Sequence, residues 1–363
     1  MPKIRLPSGY TWAYVDANPT ANTTLLCLHG FPDLAFGYRH QIGAWARAGF
    51  RVVVPDMLGY GATDAPDDPK EYTMKRLTSD LAALLTALGV GRAVMIGHDW
   101  GSFTAGRFAL WHPERLLGLV LMSVPFTPPT PKAMPLDEVV VRAPNLGYQL
   151  YIASEESVSE MYEKIPYVLS LTFAPNDKLV DFTPTGKMQA LIRAAPANET
   201  STSLLHGDAM RAYVAAFKAR GMRGPTNYYR TSLLRFAEES TESPPLAKSL
   251  PESLPVLGMY GVLDATIPPA ALKTQRRFVP RLREVMIAGT GHWVMIQDVP
   301  AAEEPRAFLE EGTKEDPLRG WREKMSAGAW KDGRGDGGPV GRSVVEWLAG
   351  LGIYGDTAEK GKL

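Results

Sequence analysis

The sequence feature that most restricts the fold of this chain is a series of short apolar runs. These runs alternate with segments that have a helical pattern. The runs are bounded by turn residues and are too short for helices, as is typical of buried parallel strands. Between the second and third run, the leucines of "LTSDLAALLTALG" lie on one helical face, and Gly89 ends the pattern. Strand–helix–strand units with right-handed crossovers predict an α/β fold, a mostly parallel central sheet flanked by helices. The runs are "TLLCL" (24–28), "RVVVPD" (51–56), "AVMIG" (93–97), "LGLVLM" (117–122), "VLGMYG" (256–261) and "EVMI" (284–287).

The strand pattern is interrupted in the middle of the chain. Proline-rich segments flank the interruption, "SVPFTPPTPKAMP" before it and "ESPPLAKSLPESLP" after it, and the sequence between them has a mostly helical pattern. We therefore predict a core of residues 1–125, a helical lid of residues 126–250, and the second part of the core in residues 251–363. An insertion at this point lies over the carboxyl edge of the sheet, where such folds bind ligands.

A glycine-rich insert near residues 303–342 precedes the end of the chain. Its part "KDGRGDGGPVGR" at 331–342 predicts a flexible loop, because glycine and charged residues dominate it. The following "SVVEWLAGLG" at 343–352 predicts a last amphipathic helix.

Composition narrows the possible partners. Lys and Arg number 39, as do Asp and Glu, so the formal net charge is zero and neither nucleic acid nor an acidic membrane is expected as a partner. A lone cysteine, Cys27, lies in an apolar run, which favours a reducing compartment. No segment approaches the roughly 20 apolar residues of a membrane span, and the first residues do not resemble a signal peptide. We expect a cytoplasmic protein; the terminal Gly-Lys-Leu differs by one residue from a peroxisomal signal and leaves that location as an alternative.

The stretch "GHDWG" directs attention to one aspartate. Gly97 and Gly101 flank Asp99 at the Gly-x-nucleophile-x-Gly spacing of a sharp turn between a strand and a helix. Small residues are needed there because strand and helix pack closely, and the central side chain is thereby exposed above the sheet. An aspartate that merely caps the helix is the simpler alternative for this motif taken alone.

Three further motifs each follow a predicted strand. "LCLHGFPD" forms a His-Gly turn whose following amide can contribute to an oxyanion hole, "GVLD" contains Asp264, and "GTGHW" contains His292. The order of aspartate, acid and histidine is that of sheet hydrolases with a nucleophile at the turn. Four such motifs in order predict a catalytic site. No cluster has zinc-ligand spacing and no glycine loop has a phosphate-binding pattern, so we predict neither a metal nor a cofactor.

An aspartate as nucleophile restricts the chemistry. Its carboxylate is already ionised at neutral pH, and its attack on an ester would give a high-energy anhydride. Attack on a saturated carbon with a strained or good leaving group gives an alkyl ester, which water can then hydrolyse. His292, oriented by Asp264, would activate that water.

An epoxide also requires a donor to its leaving oxygen, and neutral hydroxyl groups suit this role. The predicted lid offers Tyr148 in "GYQLY" and Tyr229 in "NYYR". Tyr151 and Tyr228 are close in sequence and remain alternatives, and any of these tyrosines could instead belong to the core of the lid.

Seven motifs together resemble the epoxide hydrolases of the α/β-hydrolase fold, in their soluble and plant-like branch, over about residues 20–300. They are "HGFPD", "DMLGYGATDAP", "GHDWG", "YQLY", "GPTNYYR", "GVLD" and "GHWVMIQDVP". The resemblance implies a small-molecule epoxide and water as partners, converted to a vicinal diol. It implies a nucleophile Asp99, an acid Asp264, a base His292, polarising tyrosines Tyr148 and Tyr229, oxyanion-hole amides of Phe31 and Trp100, and substrate contacts from His29, Pro32, Tyr151, Tyr228 and Trp293. The insert after about residue 303 is longer than the family pattern.

Two other functions compete with this one. Haloalkane dehalogenases use the same aspartate chemistry, and Trp100 would suit halide binding, but that family typically has a polar residue where this chain has Phe31, and it lacks the tyrosine pair. A catalytically silent ligand-binding relative is the other alternative, against which the complete set of motifs argues. Formation of a diol from styrene oxide or stilbene oxide distinguishes them. Candidate substrates range from lipid epoxides to xenobiotics, the latter implying detoxification, and both a monomer and a homodimer are compatible with the sequence.

Overall fold

The computed structural model describes residues 2–175, 182–196, 200, 202–268, 270–297, 299, 312–332 and 335–356. Within them, one eight-stranded sheet forms the centre of the molecule. Its strands are β1 (Lys3–Arg5), β2 (Thr11–Ala17), β3 (Thr24–Leu28), β4 (Arg51–Pro55), β5 (Ala93–His98), β6 (Leu116–Met122), β7 (Val256–Gly261) and β8 (Leu282–Ile287). All six strands that the sequence predicts are therefore confirmed within one or two residues.

The strand order is β1-β2-β4-β3-β5-β6-β7-β8. The pairs β1–β2 and β2–β4 are antiparallel, and the other neighbours are parallel. The predicted fold class is confirmed; the sequence analysis missed β1 and β2, of which β2 runs antiparallel to the rest of the sheet. Because β3, β5, β7 and β8 run in the same direction, the residues that follow each of them meet at one edge of the sheet.

Helices cover the sheet and also form the segment inserted between β6 and β7. Five leucines were expected to anchor one of them. Leu77, Leu81, Leu84 and Leu85 are fully buried, whereas Leu88, just after the end of the helix, is only partly buried, and Gly89 follows with a φ of +69°. The helices are α1 (Arg39–Arg47), α2 (Met74–Ala87), α3 (Trp100–Trp111), α4 (Leu136–Arg142), α5 (Tyr148–Ile152), α6 (Glu156–Glu163), α7 (Ile165–Thr172), α8 (Lys187–Ala194), α9 (Gly207–Arg220), α10 (Arg223–Asn227), α11 (Ser232–Ser240), α12 (Ala271–Phe278), α13 (Arg319–Ala327) and α14 (Gly338–Gly350).

The described residues between β6 and β7 form the helices α4 to α11 and contain no strand. Their buried apolar residues belong to the same cluster as those of the sheet: Phe173 contacts Tyr213 with ring centroids 5.3 Å apart and stacks on Trp293 at 3.7 Å. Hydrogen bonds join them to the main body, for example from Tyr228 Oη to the carbonyl of Leu58 at 2.9 Å. The exact domain boundaries at 125/126 and 250/251 stay predictions.

The glycine-rich insert differs from its prediction. A flexible loop was expected over 331–342, but α14 begins at Gly338, five residues before the expected start at 343. Pro339 stands in the first turn, where its fixed φ favours a helix. The helix α13 also lies within the predicted insert. The loop prediction is therefore wrong for residues 331–332, which end a short 3-10 helix, and for residues 338–342, while residues 333–334 lie outside the described ranges.

The end of the chain that suggested a peroxisomal signal, residues 357–363, also lies outside the described ranges. In the described part of the chain, no helix combines the length and the apolar character required to cross a membrane.

Candidate active site

Asp99 occupies the sharp turn between β5 and α3. It has a φ of +53°, a strained conformation for a residue other than glycine. The flanking glycines make the turn possible: a Cβ added to Gly97 would lie 2.3 Å from the carbonyl oxygen of Gly101, and one added to Gly101 would lie 2.1 Å from that of Leu28. The backbone therefore fixes the direction in which the Asp99 carboxylate projects.

The His-Gly turn after β3 binds that carboxylate. The amide of Phe31 donates to Asp99 Oδ1 over 2.7 Å. A Cβ on Gly30 would lie 2.2 Å from the same Oδ1 and 2.6 Å from the amide nitrogen of Trp100, so a glycine is required for this close approach. The two amides that the sequence assigns to an oxyanion hole thus belong to chain segments that meet at Asp99.

His29 stabilises the turn rather than contacting a cavity. Its Nδ1 lies 3.0 Å from the carbonyl oxygen of Gly30, and its Nε2 accepts from the amide of Met57 over 2.9 Å. Burial lowers the pKa of His29 to about 4, so the ring is neutral and both nitrogens are engaged at neutral pH.

His292 connects the two carboxylates. Its Nε2 lies 3.6 Å from Asp99 Oδ2, and its Nδ1 lies 3.0 Å from Asp264 Oδ2. The remaining oxygen of Asp264, Oδ1, accepts from the amide of Thr266 at 2.8 Å and from its hydroxyl at 2.7 Å. Asp264 therefore orients the ring, with Nδ1–H towards Asp264 and Nε2 towards Asp99.

The carboxylates also determine the charge of His292. Burial opposes the charged imidazolium, but Asp264 and Asp99 outweigh it and raise the pKa of His292 to about 10. Burial likewise opposes an ionised Asp99, yet the hydrogen bond and the charge of His292 lower the pKa of this carboxyl. Asp99 and His292 therefore form an ion pair at neutral pH.

Two residues that the sequence analysis gave no role hold the backbone of His292. His98 Nε2 lies 2.9 Å from the carbonyl oxygen of His292, and the hydroxyl of Ser123 donates to the same oxygen at 2.6 Å. Burial, assisted by the charge of His292, lowers the pKa of His98 to about 4, so this second histidine is neutral. Thr266 was also missed, although its position two residues after Asp264 is that of a side chain that caps an aspartate turn.

Two cavities meet at Asp99, one of about 320 Å³ and one of about 30 Å³. Tyr148 and Tyr229 from the inserted helices line both of them together with Asp99 and Thr266, while His292 lines the smaller one. The ring of Tyr229 packs edge-on against Phe31 and Trp100, with centroids 5.3 and 5.1 Å apart. Burial raises the pKa of both tyrosines, so their hydroxyl groups keep their protons at neutral pH.

The alternative tyrosines have other partners. The hydroxyl of Tyr151 donates to Glu160 Oε2 and that of Tyr228 to the carbonyl of Leu58, each over 2.9 Å. The ring of Tyr228 nevertheless lines the larger cavity, and Trp293 lines the smaller one. Among the described residues, the other expected substrate contacts, His29, Pro32 and Tyr151, lie outside the lining of both cavities.

The wall of the larger cavity was not foreseen. It extends from Asp99 along α3 and across to α4 and α11, and most of its side chains are apolar. Apart from Asp99, its charged side chains are those of Arg107 and Arg235. Within the described ranges, no three residues of the His, Cys, Asp or Glu type are grouped so that they could hold a metal ion.

Comparisons with known proteins identify the family of this chain. The profile of the α/β-hydrolase fold family matches residues 23–299. The epoxide hydrolase srdG of Neurospora crassa is 33% identical over 81% of this chain and 90% of that protein. The bifunctional epoxide hydrolase 2 of Rattus norvegicus is 31% identical over 75% of this chain, which spans about half (49%) of that longer protein.

One solved structure is similar to this chain over most of its length. The crystal structure of epoxide hydrolase A from Mycobacterium thermoresistibile superposes with a TM-score of 0.68 at 26% identity, over 82% of this chain and 93% of that one. The chain belongs to the α/β-hydrolase family and, within it, to the epoxide hydrolases.

Proposed function

We propose that this protein adds water to an epoxide and forms a vicinal diol through a covalent alkyl ester on Asp99. One observation carries the proposal: two neutral tyrosine hydroxyls and the Asp99 carboxylate border the same cavities, with the His292–Asp264 pair behind the carboxylate. Its relatives srdG and epoxide hydrolase A bear the name of this activity.

The first step opens the ring. Asp99 Oδ1 is held by the amide of Phe31, which leaves Oδ2 as the oxygen that attacks a carbon of the epoxide. As the new C–O bond forms, the ring C–O bond breaks, and the leaving oxygen takes a proton from Tyr148 or Tyr229. The product is an ester of Asp99, and the tyrosine regains its proton from His292, directly or through water.

The second step hydrolyses the ester. Esterification removes the negative charge of Asp99, which is one of the charges that raise the pKa of His292, so the imidazole becomes a better base when it is needed. Neutral His292 takes a proton from water, which attacks the carboxyl carbon of Asp99. The amides of Phe31 and Trp100 stabilise the resulting oxyanion. As this intermediate collapses, the bond between the carboxyl carbon and the oxygen of the alkyl group breaks, and the leaving oxygen takes the proton that His292 holds, which completes the diol. The remaining carboxyl proton of Asp99 then passes to His292 and restores the ion pair.

The helices between β6 and β7 act as a lid in this proposal. They supply Tyr148, Tyr229 and much of the cavity wall, and an insertion at the carboxyl edge of the sheet suits closure over a substrate. A lid that excludes water strengthens the hydrogen bonds to the leaving oxygen.

The origin of the diol oxygen tests the covalent step. In a single turnover of excess enzyme in water enriched in heavy oxygen, the diol should carry no label, and the label should appear in the Asp99 carboxylate. A His292→Gln variant should react once and stall, so that its intact mass increases by that of the substrate. Asp99→Asn serves as the control that forms no such adduct. Label in the diol of the first turnover, without an adduct, would instead indicate direct attack by water.

Halide release from haloalkanes should be measured together with diol formation, to distinguish dehalogenation from epoxide hydrolysis. The same aspartate could displace a halide, and Trp100 borders the larger cavity. The tyrosine pair favours the epoxide, because a halide leaves without a proton.

A further inference from the structure

The insert near the end of the chain places a cation in the interior of the molecule. Arg322 of α13 is 0% exposed, and its guanidinium donates to two carboxylates, to Asp56 Oδ2 over 2.8 Å and to Asp316 Oδ1. Asp56, directly after β4, is also 0% exposed. A buried carboxylate that loses its cation is strongly destabilised, so the position of Asp56 depends on Arg322.

Asp56 joins two loops beside the proposed active site. Its Oδ1 accepts from the amide of Ala35 at 3.0 Å, and its Oδ2 accepts from the amide of Ala62 at 3.2 Å. The next residue, Met57, donates its amide to His29 Nε2 at 2.9 Å. The loop after β4 is therefore bonded at two points to the His-Gly turn after β3.

Ala35 is close in the chain to the amide that binds the nucleophile. It lies four residues after Phe31, whose amide donates to Asp99 Oδ1 over 2.7 Å. The turn between them is tight, because the amide of Asp33 donates to the carbonyl of Gly30 at 3.0 Å. A displacement at Ala35 is therefore expected to move the amide of Phe31.

The helix α13 makes a second contact with the same turn and is itself anchored to the sheet. Trp321, next to Arg322, packs edge-on against Phe36 with ring centroids 4.9 Å apart. The hydroxyl of Ser326 accepts from the amide of Asp16 in β2 at 3.1 Å. The helix thus connects the sheet to the backbone segment that carries the amide of Phe31.

We propose that Arg322 is a positioning residue, which acts through Asp56 to hold the Phe31 amide in place and thereby favours hydrolysis of the ester over its formation. This inference rests on the proposed two-step reaction and gives the insert a role in it. In the first step, negative charge leaves the carboxylate of Asp99, so the amide is needed less as the ester forms. In the second step, negative charge returns to Oδ1, and a correctly placed amide stabilises it.

Separate rate constants for the two steps test the proposal. Excess enzyme is mixed with styrene oxide, quenched at successive times, and analysed by intact mass for the ester. In Arg322→Gln, the rate constant for hydrolysis of the ester should fall about tenfold or more, part of the loss known for removal of an oxyanion donor, while that for alkylation is kept. Arg322→Lys should lie between this variant and wild type, because a cation still faces Asp56.

Arg319→Gln is the matched control. It removes the same charge from the same helix, but the side chain of Arg319 is 50% exposed and pairs with Glu323 at the surface. Both rate constants should therefore remain those of wild type.

A merely structural role of Arg322 predicts a different result. Loss of folded enzyme reduces the amount of ester formed, but it does not change the first-order rate constant at which that ester is hydrolysed. Hydrolysis at the wild-type rate constant in every Arg322 variant that folds, or an equal fall of both rate constants, would overturn the proposal. Wild type that forms neither ester nor diol from styrene oxide would instead refute the proposed hydrolysis itself.

Discussion

Asp99 and His292 each keep the other charged, and this coupling can be measured. Replacing Asp99 by Asn removes one of the charges that raise the pKa of His292 to about 10, so that pKa should fall. The pKa can be followed by NMR titration of the imidazole protons. Since the folded-state value lies above the usual 6.5, the ion pair stabilises the fold fully below pH 6.5 and ceases to do so as the pH rises through about 10.

Asp264→Asn provides the comparison for this measurement. Of the two carboxylates, Asp264 raises the pKa of His292 more strongly, so this variant should lower the value further than Asp99→Asn. A pKa of His292 that is the same in Asp99→Asn and in wild type would contradict the coupling, and with it the argument that esterification of Asp99 makes His292 a better base.

We propose that both Tyr148 and Tyr229 donate to the leaving oxygen, so the losses that their substitutions cause in alkylation should add as activation free energies. Tyr148→Phe and Tyr229→Phe should each slow formation of the ester by roughly 10²- to 10³-fold, because each removes one donor to the leaving oxygen in a buried site. The double variant should be nearly inactive. Stopped-flow measurement of the first step gives the rate directly.

Tyr162→Phe is a matched control for the tyrosine variants, because this exposed residue donates to the carbonyl of Lys218, away from both cavities. If both single variants, Tyr148→Phe and Tyr229→Phe, alkylate at the wild-type rate, the donors must be sought elsewhere. Tyr228 would be the next candidate, since its ring lines the larger cavity.

At the same scale, the residues proposed to react could be predicted from the sequence, whereas the residues that hold them in place could not. Asp99, Asp264 and His292 stand in short motifs at strand ends, and a turn at a strand end is visible in the sequence. Ser123 is 169 residues from the carbonyl oxygen that it holds, and His98 is 194 residues from it, so no local pattern could reveal either contact. The contact of Arg322 with Asp56, 266 residues away, is equally nonlocal.

At the scale of elements, the turn between β5 and α3 depends on its glycines. Gly101→Ala would bring a Cβ to 2.1 Å from the backbone carbonyl of Leu28, which cannot move without disturbing β3. We expect the free energy of unfolding to fall by at least about 1–3 kcal/mol, the usual cost of forcing extra volume into a packed site. Chemical denaturation measures it.

Gly91→Ala is the matched control, because a Cβ at Gly91 meets no atom within 4 Å among the described residues. Its effect on unfolding should be small. If Gly101→Ala were as stable as Gly91→Ala, the close approach of α3 to β3 would not be what requires the glycine.

Strands β3 to β7 were predictable because nearly all of their residues are buried on both faces, which gives nearly continuous apolar runs. The edge strand β8 is partly exposed, and the sequence predicted only its second part, "EVMI". The sequence did not predict the first two strands, β1 and β2. β1 has only three residues, and β2 reads "TWAYVDA", in which polar residues interrupt the apolar pattern. The start of α14 was missed because the glycines of 335–341 suggested a loop. In the structure, the carbonyl oxygens of Gly337 and Gly341 accept hydrogen bonds from the side chains of Gln41 and Trp45 of α1, contacts between distant parts of the chain that the sequence does not reveal.

At the scale of the whole molecule, polar contacts attach the inserted segment to loops that follow strands of the sheet. The side-chain amide of Asn145 donates to the carbonyl oxygens of Ala265 and Thr266 at 3.0 and 3.1 Å, next to Asp264. On the opposite side, Asp33 of the His-Gly turn accepts a hydrogen bond from the Tyr213 hydroxyl of α9. The position of the insertion was predictable from the interrupted strand pattern, but these attachments were not, because they depend on how the helices pack.

The Asp33 contact makes the stability of the molecule depend on pH in an unusual direction. Burial raises the pKa of Asp33 to about 7, against the opposing effect of the hydrogen bond from Tyr213. A carboxyl group with a raised pKa binds its proton more tightly in the folded state than in the unfolded one. Its contribution to stability is therefore greatest below pH 3.8 and decreases as the pH rises to about 7, by up to about 4 kcal/mol.

Asp33→Asn isolates this effect, because an amide stays neutral at every pH and can still accept from Tyr213. The melting temperature of the variant minus that of wild type should increase as the pH rises from about 4 to 7, and then become constant. Asp137→Asn, which changes an exposed carboxylate on α4, should leave the corresponding difference flat. If the difference for Asp33→Asn instead decreased over this range, Asp33 would be charged in the folded protein, and the Tyr213 hydroxyl would donate to a carboxylate rather than to a protonated carboxyl group.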